Sequence, residues 1–353
     1  MNYRTIGSTG LAVSEIAFGC GGTAGLMIRG TFEEQLRAAA RAIELGINYF
    51  DESPDYGDGV SETNLGRVIR ELGVRPIINT KVEVRTEDLD DIAGHVERSV
   101  EASLKRLGVD WVDIVQIHNG PVAAKPELPG RAYNILWLKD YLRPKGALKG
   151  LQRILRDGKT RYVGFICRGN DARQARELID TGSFHLVNLV YNLLNPSAGR
   201  RVPGLKSRAD FGAVIDYAAT HGVGVAVYNP LAGGLLTDTA LTRQGPHPLS
   251  GGRSRSSEAY QASLGQAQAL GFLSRPGRTM AQAATRFILD NPGVTTVLGG
   301  FSGLEHLEEA VPASGAAALS AEDMARVEMI WRANFDGAQA VPAPPGPTSL
   351  SPD

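Results

Sequence analysis

The sequence predicts an α/β fold of the (β/α)8 class, a TIM barrel that carries an N-terminal β-hairpin and long loops after strands 4 and 7. Eight short apolar segments suit strands buried on both faces. Between them lie amphipathic segments with apolar residues recurring at three and four, and Gly46, Gly73, Gly108 and Gly222 stand where helices commonly end in a left-handed residue. Alternation of the two kinds of segment argues for βα units around a parallel sheet.

Tyr3–Ile6 and Leu11–Ile16 flank the turn Gly7-Ser8-Thr9-Gly10 and read as a hairpin able to cap the bottom of a barrel. The strands are expected at Ile16–Gly19, Ile47–Phe50, Pro76–Val82, Val112–His118, Arg161–Ile166, Leu186–Tyr191, Val223–Tyr228 and Thr295–Leu298. Helices are expected over Thr31–Leu45, Glu62–Leu72, Leu89–Leu107, Asp171–Asp180, Asp210–Thr220 and Met280–Asp290, with Thr31 and Ser61 as polar caps. Two interruptions, Asn119–Lys149 and Leu231–Arg278, both follow strands, where barrel active-site loops are built. No tandem repeat or shift of composition divides the chain, so residues 1–335 read as one barrel and 336–353 as a Pro/Ala-rich, loosely packed tail.

Of 353 residues, 42% are hydrophobic and 21% charged, enough for a sizeable core. A net charge of −1 supplies no basic field for nucleic acid, which leaves a small-molecule substrate as the expected partner. Cys20 and Cys167 are too few for a disulfide scaffold and fit a reducing, cytoplasmic setting as buried thiols. No signal-peptide core and no apolar run of membrane-spanning length is present, so no membrane partner is expected. The six histidines show no metal-ligand spacing, and no metal is expected. Oligomeric state is open.

The segment Gly46-Ile47-Asn48-Tyr49-Phe50-Asp51-Glu52-Ser53-Pro54-Asp55-Tyr56-Gly57, with Ser61-Glu62 and Leu65-Gly66 after it, resembles the signature region of the aldo-keto reductases. In that family a strand ends in Asp with Tyr five residues on, the third strand ends in Lys, and the fourth ends in His. Asp51, Tyr56, Lys81 in Thr80-Lys81-Val82 and His118 in Gln116-Ile117-His118 match those positions. The resemblance runs from the hairpin to Glu308-Glu309 and includes Tyr228-Asn229-Pro230-Leu231 and Gly233-Gly234-Leu235-Leu236. It implies hydride transfer between nicotinamide, NADP or NAD, and a carbonyl or alcohol carbon.

Carbonyl reduction suits this residue set. Negative charge grows on oxygen as hydride reaches carbon, so a donor must hydrogen-bond and then protonate that oxygen. Tyr56 is the expected donor, Lys81 the ammonium expected to lower its pKa, and Asp51 the counter-charge that fixes the lysine. His118 is expected to donate to the substrate carbonyl, with its tautomer open.

For the cofactor, the resemblance implies stacking of nicotinamide on Tyr191 and an amide contact from Asn188. The usual Ser-Asn pair after the fifth strand is absent from Gly164-Phe165-Ile166-Cys167. The loop after strand 7, with Tyr228, Leu231, Gly233 and Leu235, is expected to wrap the pyrophosphate. Gly300, Ser302, His306 and Glu309 are expected in the adenosine segment. From Val297 to Glu309 there is no basic residue other than His306, which favours NAD at least as much as NADP unless Arg253, Arg255, Arg275 or Arg278 supplies the charge. Met27, Asp55, Asn119, Tyr133, Trp137 and Tyr141 are candidates to line the mouth, mixing aromatic and polar groups as a sugar would require. Two other readings stay open: a nonenzymatic nicotinamide-binding regulatory module of the same fold, and a lyase or isomerase using Lys81 as a base or Schiff-base amine.

Overall fold

The chain begins with two antiparallel strands, β1 (Tyr3–Thr5) and β2 (Ala12–Ser14), paired with Tyr3 opposite Ser14. The computed structural model describes residues 1–124, 135–207, 209–242 and 258–336. After the hairpin come β3 (Ile16–Gly19), β4 (Tyr49–Asp51), β5 (Ile77–Val82), β6 (Val112–Ile117), β7 (Gly120–Val122), β8 (Ile135–Trp137), β9 (Thr160–Ile166), β10 (Leu186–Val190), β11 (Gly224–Tyr228) and β12 (Thr296–Gly300). All but the hairpin and the small parallel pair β7–β8 close into one eight-stranded parallel barrel, in the order β3-β4-β5-β6-β9-β10-β11-β12 and back to β3. The expected strands are found, with no end shifted by more than two residues.

Side chains alternate between the two faces of a strand, and this alternation sorts the barrel interior into layers. Ala17, Tyr49, Ile114, Leu186, Ala226 and Leu298 form an apolar layer together with Ile6 and Val13 of the hairpin segment. The hairpin plugs the barrel floor, and Ser8 is tied to Gly222 by a backbone hydrogen bond of 2.8 Å. Gly224 makes the plug possible, because a Cβ there would lie 2.7 Å from Ile6 Cγ2. Arg4 anchors the hairpin to the neighbouring helix end, donating to Leu289 O and Val294 O at 2.7 Å each while pairing with Glu15.

Local signals place the outer helices. Thr31 and Glu34 form a capping box before Phe32–Glu44, as do Thr279 and Gln282 before Met280–Leu289. Ser61 is not a cap: the helix runs Val60–Leu72 from Gly59 at φ 86°, and Ser61 and Glu62 are buried within its first turn. The fourth helix starts at Ile92 with Asp91 as its cap, behind a 3-10 turn at Thr86–Asp91. Val214–Thr220 is shorter than the expected Asp210–Thr220. Helices at Ala147–Arg156, Leu304–Ala310 and Ala321–Arg332 were not singled out from the sequence. Among the described residues, no helix is long and apolar enough to cross a membrane.

Candidate active site

Above the apolar layer the inward positions turn polar, because β4, β5, β6 and β10 place Asp51, Asn79, Gln116 and Asn188 on the inner face. Asn79 Nδ2 donates to Asp51 Oδ2 at 2.7 Å and to Gln116 Oε1 at 2.8 Å. Gln116 Nε2 donates to Asn188 Oδ1 at 3.0 Å, and Asn188 Nδ2 returns to Asp51 Oδ2 at 3.4 Å. Gly164 leaves room for Gln116, whose Nε2 would lie 3.0 Å from a Cβ at that position.

Lys81 stands on this platform with all three ammonium hydrogens used. It donates to Asp51 Oδ1 at 2.5 Å, to Glu52 O at 2.6 Å and to Tyr56 Oη at 3.1 Å. Burial opposes the ammonium charge, but Asp51 and then Tyr56 outweigh it and hold the Lys81 pKa above its ordinary value. For Tyr56 the balance goes the other way: burial pushes the phenol up to about 12, and Lys81 only partly offsets this. The expected net lowering by the lysine is therefore corrected, and Tyr56 is a protonated hydroxyl at neutral pH.

His118 completes the group, its ring edge-on to Tyr56 with centroids 6.1 Å apart. Its Nδ1 lies 3.1 Å from Glu83 Oε2, 3.3 Å from Ser53 Oγ and 3.4 Å from Asp55 Oδ2. Asp55, Glu83 and His118 bring carboxylate and imidazole atoms within 4.8 Å of one another, a grouping that sequence spacing conceals because each comes from a different strand end. Burial raises Glu83, whereas Asp55 falls to about 2, the hydrogen bond from His118 and the neighbouring Arg85 overcoming its burial.

Three further residues were missed in the sequence. Glu83 is one. Glu52, fully buried one position past Asp51, accepts from Ser61 Oγ at 2.7 Å, and burial lifts its pKa to about 8. Arg168 stands just past the segment where the usual Ser-Asn pair is absent; it donates to His118 O at 2.6 Å, and its Nε is buried with no hydrogen-bond partner. A half-buried arginine whose Nε is enclosed, at a strand end, is a signal that only the fold reveals.

Several expected site residues are not brought to the mouth. Tyr191 is corrected: odd-numbered positions of β10 face outward, so its ring packs on Phe287 at 4.9 Å between centroids and is 3% exposed. Asn188 is committed to Gln116 and Asp51 rather than free for a nicotinamide amide. Asn119 is fully buried, accepting from Val84 N and donating to Val84 O, both at 2.9 Å. Met27 is fully buried in the core, and Tyr141 is buried with its hydroxyl on Asn119 O. Trp137 donates to Ala123 O at 3.0 Å. Tyr133, Arg253 and Arg255, and all of the tail from 337, lie outside the described residues.

The remaining cofactor candidates stay on the strand-end side. Tyr228 ends β11 on the inner face, half-buried, with its hydroxyl 3.5 Å from Cys167 O. Leu231 precedes the turn Ala232–Gly234, and Leu235 caps it; the Gly233 amide already donates to Asn229 Oδ1 at 2.6 Å. Gly300 is exposed at the end of β12, Ser302 Oγ meets His306 Nδ1 at 2.8 Å, and Glu309 O accepts from Gln282 at 3.0 Å. Arg275 and Arg278 both face Asp323, at 2.9 and 3.1 Å. An inward tyrosine and an exposed strand-end glycine suit a flat heteroaromatic amide and the close approach of a phosphate to backbone, so the residues fit a nicotinamide dinucleotide.

Comparison with known proteins gives the family. The Aldo/keto reductase family model matches residues 15–332. The chain is 27% identical over 330 residues to L-galactose dehydrogenase of Arabidopsis thaliana, covering 89% of this chain and 88% of that protein. It is 28% identical over 374 residues to L-glyceraldehyde 3-phosphate reductase of Escherichia coli O157:H7, covering 95% and 96%. An aldo-keto reductase from Bacillus halodurans in its holo form superposes with a TM-score of 0.70 at 23% identity, covering 94% of this chain and 97% of that one. With a closed barrel, the strand-end quartet and a family match over nearly its whole length, this chain belongs to the aldo/keto reductase family of NAD(P)-dependent oxidoreductases.

Proposed function

We propose that the chain interconverts an aldose or sugar-derived carbonyl and its alcohol, with Tyr56 as general acid and base. The carrying observation is the Lys81 ammonium bonded at once to Asp51, Glu52 O and the Tyr56 hydroxyl. A bound nicotinamide dinucleotide supplies or accepts the hydride. As a carbonyl carbon gains hydride, its π pair moves onto oxygen, and Tyr56 gives that oxygen a proton. The phenolate left behind faces Lys81, which stabilises it until a proton returns from solvent. Oxidation of an alcohol runs the same steps backward.

Charge at the mouth supports an uncharged polyol over a phosphorylated substrate. Asp55 and Glu83 present carboxyl groups beside His118, while Arg85 pairs with Asp55 at 3.1 Å and Arg168 is turned to a carbonyl. Carboxyls accept from sugar hydroxyls and repel phosphate. The likeness to L-galactose dehydrogenase points the same way, and that to a reductase of a phosphorylated aldehyde is set against it.

For the cofactor, Arg275 and Arg278 are engaged by Asp323, Arg41 is engaged by Glu308 and Glu44, and Glu305 is exposed, so each of these three arginines is already paired with a carboxylate and the segment from Val297 to Glu309 carries no base besides His306. This supports use of NAD at least as well as NADP. Steady-state turnover on a panel of aldoses, phosphorylated aldehydes and apolar aldehydes, with each cofactor and with Tyr56→Phe alongside, tests all three claims. Expected is aldose turnover with NAD(H), lost in Tyr56→Phe while cofactor still binds. Cofactor binding without turnover in either direction moves the assignment to a nonenzymatic module.

A further inference from the structure

We propose that Asp55, Glu83 and His118 Nδ1 form a site for a divalent metal ion of the zinc class, and that the bound ion competes with substrate at the mouth. The competition, though not the binding, rests on the reading of the mouth as the hydride-transfer site.

The three ligands reach one point from rigid elements. Glu83 and His118 each stand one residue past the ends of the neighbouring strands β5 and β6, where Val82 pairs with Ile117, and Asp55 comes from the loop after β4. Glu83 Oε2 lies 3.1 Å from His118 Nδ1, and Asp55 Oδ2 lies 3.4 Å from it. Zinc bonds to imidazole nitrogen and carboxylate oxygen run about 2.0–2.2 Å, so neighbouring ligands on a tetrahedral ion stand about 3.3–3.6 Å apart. The two contacts already have nearly that spacing, and all three ligand atoms lie within 4.8 Å of one another.

Hydrogen bonding leaves the carboxyl oxygens unused. Asp55 Oδ2 and Glu83 Oε1 are both enclosed, and neither has a hydrogen-bond partner. Glu83 is only 6% exposed, so bulk water solvates its carboxyl poorly. One cation between the two acids offsets that cost for both at once. The neighbouring cations are turned elsewhere: Arg85 pairs with the other Asp55 oxygen, Oδ1, at 3.1 Å, Lys81 is bonded to Asp51, Glu52 O and Tyr56, and Arg168 donates to the His118 carbonyl oxygen. Ser53 Oγ, 3.3 Å from Nδ1, also accepts from the Asp55 amide and keeps that bond when an ion takes the imidazole.

The donor set selects the ion. One imidazole with two carboxylates suits zinc and its first-row neighbours over magnesium or calcium, which favour oxygen alone. Coordination through Nδ1 leaves the one hydrogen of the neutral ring on Nε2, so donation from His118 to a substrate oxygen is kept. What the ion removes is the pair of carboxyl acceptors that the sugar hydroxyls use.

Calorimetric titration of the full-length chain with zinc chloride, after EDTA treatment and dialysis, reads the site directly. One ion should bind, and Glu83→Gln and Asp55→Asn should each weaken it about tenfold or more, because each removes a charged ligand. Cobalt in place of zinc should give the intense visible absorption of a four-coordinate ion. Saturating zinc should raise the KM for an aldose about tenfold, with kcat changed less than about threefold. No binding by the wild type at about millimolar zinc overturns the site, and so does wild-type affinity in both variants, since zinc is then held elsewhere. Magnesium bound as tightly as zinc overturns the choice of ion, and an unchanged KM with zinc bound overturns the competition. The titration needs no turnover: zinc held by these residues in a chain inactive on every substrate sinks the reductase reading and supports the site.

Discussion

The Lys81 ammonium meets the Asp51 carboxylate at 2.5 Å, and the two side chains are only 2% and 4% exposed. Neither charge can be removed alone without stranding the other in a poorly solvated interior. Lys81→Met should lower unfolding free energy by about 3–5 kcal/mol in urea titration. The double variant Lys81→Met with Asp51→Leu should recover part of that loss while staying inactive. Equal stability of the single and double variants would mean that the pair is solvated in practice.

A cofactor-stacking role separates two tyrosines, of which the sequence reading chose Tyr191. Tyr228 faces the mouth and Tyr191 packs on Phe287. Tyr228→Ala should weaken nicotinamide binding about tenfold by fluorescence titration, the loss of one aromatic contact. Tyr191→Phe should leave the Kd within about twofold. A reversed order would restore the sequence expectation.

Glu52 makes stability depend on pH in the opposite direction from an ordinary paired carboxylate. Its folded pKa, about 8, lies above the usual 4.5, so between these values the folded chain keeps a proton that the unfolded chain has released. Stability must then fall as pH rises through that window and level off above it, by up to a few kcal/mol. Glu52→Gln should flatten this slope in chemical denaturation at pH 5, 6.5 and 8. An unchanged slope would assign the dependence elsewhere.

Asn119 pins the start of the fourth loop to Val84 through both ends of its amide. Asn119→Ala should cost about 1–3 kcal/mol of stability, because two buried backbone groups lose partners. The KM for substrate should stay within about twofold, where a residue in contact with substrate would raise it further.

Strand positions were legible because each depends on a short local pattern, an apolar run followed by a helix that ends in glycine, whereas the Asp51, Tyr56, Lys81 and His118 set came from the family resemblance. Direction was misread at Tyr191, which the sequence reading placed against the nicotinamide although it lies an odd number of residues from the inward Asn188 and packs on Phe287. What stayed hidden was pairing across strands. Glu83 looks like any surface glutamate until β5 and β6 set it against His118, and Glu52 like a loop acid until Ser61 covers it. Asn188 reads as a ligand for a cofactor amide, yet its two polar atoms are satisfied by Gln116 and Asp51 once the barrel closes.

The hairpin plug has a consequence for proton traffic. Ile6 and Val13 pack beneath Tyr49 and Ile114, so an apolar layer lies between the barrel floor and the ammonium and phenol. In the proposed reaction, the proton that Tyr56 gives up comes back through the same doorway that admits the substrate, so an occupied vestibule would isolate the tyrosine from solvent. Replenishment of the acid is thereby coupled to departure of the product.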